Sequence, residues 1–366
     1  MSRPTIDAWL SRSVYEDKRG WKKGVTRRYD EAVGERICSL KRARIDGNRY
    51  FLGSPYIQMD YAKTYPGESP PSIWRIDEAV RTAGLQTRVP RPHPKRGGAK
   101  HLLFPFQSIR ELGRVHQSAD FIGRKYITGC REPVHFFSQS YDIPFKLLNV
   151  ARIPAETGVY ARERMLSLWE EHPLPDVFRL DNGLQFAGTN RAARKLSETV
   201  CLLLNLGITP VFSAPCKPWT NPYIEGHNRV FTATVWTRNR FTSLEQIDRE
   251  CNRLTAESVE YYRFRYAHLI HAGSFRRLSA QRPIPTDRLR TTRNKKLYFI
   301  RFAELPDQNA KHSVIVILNE TVQLPESLSH QFVFAEWNLE NEQLNIFSEY
   351  EGRRIFITRI HFKINW

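Results

Sequence analysis

Three acidic residues stand at positions from which their carboxylates could meet in one cleft. Asp120 lies within a predicted strand, Asp181 ends another strand in the run Asp181-Asn182-Gly183, and Glu225 falls in the first turn of a predicted helix. Converging carboxylates supply the hard oxygen ligands that divalent cations prefer. A pair of such cations polarises a phosphodiester and stabilises the entering and leaving oxygens of an in-line displacement. The three positions therefore predict metal-dependent phosphodiester chemistry.

Each of these acids also has a plain structural interpretation, which stays open at this point. Asn-Gly after Asp181 is a common turn signal, a glutamate early in a helix complements the macrodipole, and Asp120 could be a solvated strand residue. Asp60 is rejected as a further candidate, because it lies in a predicted helix ahead of a Pro/Gly-rich basic linker.

The elements that must position the three acids alternate between strand and helix patterns over 115–285. Three consecutive strands come first, followed by alternating helices and strands, which predicts a mixed sheet with helices on both faces. The strands are predicted over 115–122, 134–137, 146–153, 177–180 and 209–212, and the helices over 157–169, 190–206, from Pro222 past Trp236, and over 244–262.

The first 50 residues read as helical, and residues 53–85 as short helices with tight turns. Ser54-Pro55 opens one short helix, and Ser72 caps another that Gly84 closes. Two short helices joined by a Gly/Pro turn predict a helix-turn-helix, in which Arg75 and Arg81 of the second helix would face DNA. Any small helical domain can show the same pattern.

Two further segments flank the core. Residues 86–101 are rich in proline, glycine and basic residues, including Lys95 and Arg96, which favours an extended linker. After a second basic segment, residues 297–357 contain short β-rich runs separated by turns, which predict a small all-β barrel.

Charge points to a polyanionic partner. The 366 residues carry a net charge of +18, with +11 over 1–114, +6 over 115–285 and +1 over 286–366. Nucleic acid or an anionic membrane would balance this charge. The chain has no apolar run of transmembrane length and no signal-peptide core. Its five cysteines form no Cys-x-x-Cys pair, so a reducing cytosol is expected.

A family resemblance joins these signals. The run Phe178-Arg179-Leu180-Asp181-Asn182-Gly183-Leu184-Gln185-Phe186 is followed by Leu206-Gly207-Ile208, Pro215, Pro218 and Asn221, and then by Ile224-Glu225-Gly226-His227-Asn228-Arg229. This ordered set resembles the catalytic core of DDE transposases and retroviral-type integrases, and most of all bacterial insertion-sequence transposases. Gln117–Gly123 resembles the strand of the family's first aspartate, and 72–85 the end of its helix-turn-helix.

The resemblance implies a multidomain α/β protein. Its parts would be a basic helical arm (1–52), an all-α helix-turn-helix (53–90), a basic linker (91–112), an RNase H-like mixed-sheet α/β/α core (113–285), and a linker with an SH3-like C-terminal β-barrel (286–366). Asp120, Asp181 and Glu225 would bind two Mg²⁺ or Mn²⁺ ions. The residues implied to contact DNA are Ser72, Arg75, Arg81, Lys95, Arg96, Asn221, Asn228 and Arg229.

The activity implied is cleavage of transposon ends in double-stranded DNA, followed by 3′-OH strand transfer into target DNA. A homo-oligomer on DNA and a location in the bacterial cytoplasm at the nucleoid are expected. Two departures stand out: Gln185 replaces a common glutamate, and Asp181 and Glu225 are 44 positions apart, more than is usual in the family. The alternatives are an inactive DNA-binding regulator or architectural protein, and a nuclease that cuts without joining.

Overall fold

The computed structural model describes residues 31–87, 104–188, 192–272, 275–278, 295–307 and 310–365. The chain divides into two compact units, residues 1–90 and 91–366. Much of the predicted arm and most of the predicted basic linker, with Lys95 and Arg96, lie outside the described residues. Of the helices that the structure describes, none is both long enough and apolar enough to cross a bilayer.

The N-terminal unit contains three described helices: Glu31–Asp46 (α1), Ser54–Thr64 (α2) and Ile73–Thr82 (α3). They pack around a small apolar core to which each helix contributes. Its buried members include Ile37, Ile57, Tyr61, Ile76 and Val80.

The helix signals predicted in this unit are confirmed. Ser72 caps α3 by accepting a hydrogen bond from the Arg75 backbone N–H. Gly84, at a φ of +67°, ends the helix in the left-handed conformation that glycine adopts most readily. Asp60 is a structural residue, because its carboxylate accepts two hydrogen bonds from the buried Arg44 of α1.

The second unit is built on one large mixed sheet. Within the described residues, nine strands pair in the spatial order β11-β10-β9-β6-β5-β4-β1-β2-β3, and β7 and β8 form a separate hairpin. The strands are His116–Tyr126 (β1), Pro133–Ile143 (β2), Leu147–Ile153 (β3), Val177–Leu180 (β4), Thr209–Phe212 (β5), Lys296–Phe302 (β6), His312–Ile317 (β7), Glu320–Pro325 (β8), Phe332–Asn338 (β9), Gln343–Tyr350 (β10) and Arg353–His361 (β11).

Helices complete this unit. Phe106–Arg110 (α4), Gly158–Glu171 (α5), Leu184–Ala187 (α6), Glu198–Asn205 (α7), Pro222–Phe231 (α8) and Leu244–Ala272 (α9) are α-helical. The helix predicted over 190–206 starts only at Glu198, because Ser197 caps it there by accepting a hydrogen bond from the Val200 N–H. The mixed α/β architecture predicted from the sequence is confirmed at this level.

The C-terminal strands do not follow the prediction of a separate small barrel. In the described chain, β6 pairs in parallel with β5, and β9, β10 and β11 continue the core sheet outward from β6. Phe299 of β6 stacks on Phe212 of β5 with ring centroids 5.2 Å apart. The alternating pattern of these short strands is compatible with a barrel or with an extension of the core sheet. The edge of β5 favours the extension, because it offers backbone partners and an apolar neighbour.

The two faces of the core sheet differ in polarity. Alternation along β1 places Ala119 and Phe121 in the main apolar core, where Trp169 of α5 and Phe178 of β4 are also buried. The other face, which carries Asp120, is covered in part by α8, whose Phe231 packs on Phe136 with ring centroids 4.9 Å apart. This second face holds the polar cleft.

Candidate active site

Asp120 lies in the middle of β1 and faces α8. The Asn228 amide of α8 donates from Nδ2 to Oδ2 of Asp120 over 2.8 Å. Glu225 lies three positions before Asn228 on the same helix, and residues at that spacing share a helix face. The contact between Asn228 and Asp120 therefore also turns Glu225 toward the strand that carries Asp120.

Asp181 directly follows β4, the parallel neighbour of β1. Ser118 of β1 is paired with Arg179 of β4. Two residues further along both strands, Asp120 and Asp181 fall side by side on the same face. The Gly183 backbone N–H donates to Oδ1 of Asp181 over 2.9 Å, which fixes the carboxylate in a tight turn.

The start of α8 sets the position of Glu225. Pro222 is the first residue of this helix, and the preceding turn includes Thr220. The buried Arg179 guanidinium donates from Nη2 to the Thr220 carbonyl oxygen. Because Arg179 belongs to β4, this bond ties the beginning of α8 to the strand that ends at Asp181.

All three acids line one cleft of about 350 Å³. Its walls come from the turn after β4, the segment after β5 and the first turn of α8. Besides Asp120, Asp181 and Glu225 the lining residues are Asn182, Gly183, Ser213, Ala214, Pro215, Cys216, Lys217, Pro218, Asn221 and Ile224. Residues separated by more than 100 positions in the sequence thus meet in one concave site.

The electrostatics of the cleft reflect this crowding. Burial, and then the negative charges of Asp181 and Glu225, raise the pKa of Asp120 to about 7. Burial also raises the pKa of Asp181, opposed by the hydrogen bond from the Gly183 N–H. Two negative charges therefore act on Asp120, and a cation in the cleft would relieve their repulsion.

The donor set suits a hard divalent cation, since the three acids offer only carboxylate oxygens. Within the part of the chain that the structure describes, no three His, Cys, Asp or Glu side chains are grouped closely enough to hold one ion together. The three carboxylates therefore fit Mg²⁺ or Mn²⁺ in donor chemistry.

The residues of α8 and its preceding turn that were predicted to contact DNA have different environments. Arg229 is exposed. Asn221 is buried in the wall of the cleft, and its Oδ1 is buried with no hydrogen-bond partner. Asn228 is bonded to Asp120 instead of projecting outward. His227 is partly buried, and burial, followed by the charge of Lys146, lowers its pKa to about 4.

The predicted DNA-contacting residues of α3 also differ among themselves. Arg81 and Ser72 are exposed. The Arg75 side chain is only 20% exposed, and its Nη1 donates to Oε2 of Glu78 on the same helix over 2.8 Å. Arg81 is therefore the freer of the two arginines.

Sequence reasoning assigned no role to two buried arginines, Arg179 and Arg301. Each interrupts an apolar strand, Phe178-Arg179-Leu180 and Ile300-Arg301-Phe302, which is a signal that was available in the sequence. Asp142 is buried and accepts a hydrogen bond from the Ser140 hydroxyl. It lines a neighbouring cavity of about 290 Å³ together with Arg179 and Tyr223.

Comparison with known proteins gives little beyond this geometry. No protein-family profile and no curated protein matches the chain. Among solved structures, the chain is similar to one chain of the simian T-cell lymphotropic virus intasome in complex with PP2A regulatory subunit B56 gamma, at 13% identity and a TM-score of 0.32. The match covers 78% of this chain and 96% of that one. Nothing about function follows from so low a TM-score.

Proposed function

We propose that the chain is a DDE-type DNA transposase or integrase with an RNase H-like core. The observation that carries this proposal is the cleft of about 350 Å³ lined by Asp120, Asp181 and Glu225. Its substrate is double-stranded DNA at the ends of a mobile element. Water attacks a phosphodiester there, and the P–O3′ bond breaks to free a 3′-hydroxyl and leave a 5′-phosphate. The 3′-hydroxyl then attacks a phosphodiester of the target DNA and expels that strand's own 3′-oxygen, so no covalent enzyme–DNA intermediate forms.

Two Mg²⁺ or Mn²⁺ ions are proposed as cofactors. Asp120, Asp181 and Glu225 would hold them, since the charges of Asp181 and Glu225 both act on Asp120 and a bound cation would offset that repulsion. When bound, such ions polarise the phosphodiester and stabilise charge on the entering and leaving oxygens.

The chain's own groups prepare this site. The Asn228 amide orients the carboxylate of Asp120, and the Gly183 N–H orients that of Asp181. These two bonds hold both carboxylates in fixed orientations within the folded chain. The helices α2 and α3 are proposed to act as a helix-turn-helix that reads the element's end. Arg81 and Arg229, both exposed, are the described cations proposed to contact DNA.

An assembly is proposed because two element ends must be joined to one target. The +18 net charge supports association with DNA at the nucleoid. The affinity for DNA should fall steeply as salt rises, since basic side chains displace condensed counterions from the duplex.

Strand transfer by isosteric variants tests the proposal. Asp181→Asn and Glu225→Gln remove a charge with little change in shape, and each should abolish joining of the element's own ends, found as inverted repeats flanking the gene. Asp142→Asn is the matched control, a buried aspartate outside the cleft, and should still join DNA. Undiminished joining by either cleft variant would contradict the assignment of the three acids to the catalytic site.

The second candidate is an inactive DNA-binding regulator or architectural protein. It is favoured by the two departures from the family pattern, Gln185 in place of a common glutamate and the 44 positions between Asp181 and Glu225. Specific binding of the ends without cleavage or joining in Mg²⁺ and in Mn²⁺ would establish it. Cleavage without joining would instead identify a nuclease.

A further inference from the structure

Arg301 reaches the cleft from the C-terminal part of the chain. It lies on β6, is 4% exposed, and donates hydrogen bonds to oxygens on three different segments. Nη2 donates to Oδ1 of Asn182 over 2.8 Å, Nη1 to the Ser213 carbonyl over 3.1 Å, and Nε to the Val316 carbonyl over 2.7 Å.

Two of these partners belong to the wall of the cleft. Asn182 follows Asp181, and its Nδ2 donates to the same Ser213 carbonyl over 2.6 Å. Arg301, Asn182 and Ser213 therefore form a closed set of hydrogen bonds between the turn after β4 and the end of β5. That turn is the one in which the Gly183 N–H holds Asp181.

The charge of Arg301 is costly where it lies. Among the described residues no carboxylate is bonded to it, and the acceptors of its hydrogen bonds are carbonyl and amide oxygens. Burial lowers the pKa of Arg301 to about 9. A buried cation without a counter-charge destabilises a fold more than an apolar residue of similar size would. Packing alone is therefore a poor reason for an arginine at this position.

We propose that Arg301 is a positioning residue for the phosphodiester chemistry: through Asn182 it locks the turn that holds Asp181, so strand β6 completes the catalytic site. This inference rests on the proposed function. It assigns the C-terminal strands the task of holding the turn of Asp181 in place, rather than a separate accessory domain.

A control for loss of an arginine–asparagine bond, at an exposed position, exists in the same sheet. Arg359 of β11 donates from Nε to Oδ1 of Asn345 over 2.9 Å, an arginine–asparagine pair that does not line the cleft. Arg301→Met and Arg301→Lys are compared with Arg359→Met in full-length protein, each alone and combined with Asn182→Ala. Thermal melting confirms that the variants are folded, and Arg301→Lys retains a charge and much of the side-chain volume if Arg301→Met does not fold.

Amide exchange of the 181–186 segment is the first readout, because it requires no activity. Exchange should speed up roughly tenfold or more in the Arg301 variants and stay at the wild-type rate in Arg359→Met. Wild-type exchange in folded Arg301→Lys and Arg301→Met would overturn the inference, whatever the protein does to DNA.

End cleavage in Mg²⁺ is the second readout. The Arg301 variants should lose roughly tenfold to a hundredfold in kcat at nearly unchanged KM. On the Asn182→Ala background the Arg301 substitution should add little, because both act through one turn. Fully additive losses would overturn the inference. A wild type with no cleavage would count against the proposed function alone, since the exchange data would still decide the role of Arg301.

Discussion

The amide of Asn228 donates a hydrogen bond from Nδ2 to Oδ2 of Asp120 over 2.8 Å. This bond joins α8, which carries Glu225, to β1, which carries Asp120, so one interaction sets the spacing of two of the three acids. It also opposes the crowding of negative charge, since it lowers the pKa of Asp120 while burial and the other two acids raise it. Asn228, predicted from the sequence to lie near DNA, is thus part of the carboxylate cluster.

Asn228→Ala should therefore reduce the rate of end cleavage and leave DNA affinity nearly unchanged. A hydrogen bond to a charged group is worth about 1.5–3 kcal/mol, which corresponds to roughly tenfold to a hundredfold in rate. Single-turnover cleavage at saturating DNA measures the rate, and a binding titration without divalent ions measures the affinity.

The adjacent Arg229→Ala is the control, because Arg229 is exposed on the same helix. It should weaken DNA binding and leave cleavage at saturating DNA close to that of the wild type. If Asn228→Ala instead lowered affinity and spared the rate, its bond to Asp120 would have no part in the reaction.

The sequence could predict which acids to consider but not the contacts that hold them. Strand and helix patterns locate Asp120, Asp181 and Glu225 on their elements, because periodicity and turn residues are local signals. That Ser118 is paired with Arg179, and hence Asp120 lies beside Asp181, depends on the register of β1 and β4. Register between strands that are distant in sequence is set by packing of the whole sheet.

The same limit explains why the sequence predicted a separate C-terminal barrel. Short β-rich runs were predicted at 297–300, 313–318, 332–335 and 354–357, but a period of two does not reveal which edge a strand will join. Arg301 could be noticed as a charge in an apolar strand. Its partners, Asn182 and the Ser213 carbonyl, lie 119 and 88 positions earlier, so only the fold reveals them.

The two arginines of α3, Arg75 and Arg81, should contribute unequally to DNA affinity. Arg81→Ala should weaken binding to the element's end and reduce the slope of log affinity against log salt by about 1, as expected for one lost phosphate contact. Arg75→Ala should change affinity less, because the Arg75 guanidinium is engaged with Glu78 and largely covered. Titrations at several salt concentrations measure both quantities. Equal losses in the two variants would mean that Arg75 leaves Glu78 to bind DNA.

Asp142 should make the stability of the protein depend on pH. Burial raises its pKa to about 6, although the Ser140 hydrogen bond and the charge of Arg179 oppose the rise. The folded state therefore binds this proton more tightly than the unfolded state, whose Asp pKa is near 3.8. Ionisation of Asp142 therefore costs the folded state no stability below about pH 4. The loss in free energy of unfolding grows as the pH rises and is complete above about pH 6.

Asp142→Asn should remove that penalty, because the amide can still accept from the Ser140 hydroxyl and carries no charge. The variant's advantage in free energy of unfolding should grow by on the order of 3 kcal/mol between pH 4 and pH 7. Urea denaturation at each pH measures it, with Glu340→Gln, at an exposed site, as the control. An advantage that did not change with pH would show that Asp142 has the same pKa in both states.

Loss of the C-terminal strands should unfold the core sheet rather than release an intact catalytic unit. A chain ending at residue 286 lacks β6, so β5 loses its partner and Phe212 loses the stacked ring of Phe299. Phe299→Ala isolates the packing part of this effect and should cost about 3–5 kcal/mol in the free energy of unfolding. Val316→Ala, at a half-exposed site on the separate β7–β8 hairpin, should cost far less. A truncated chain that melts cooperatively at the wild-type temperature would show that the strands fold as an independent domain.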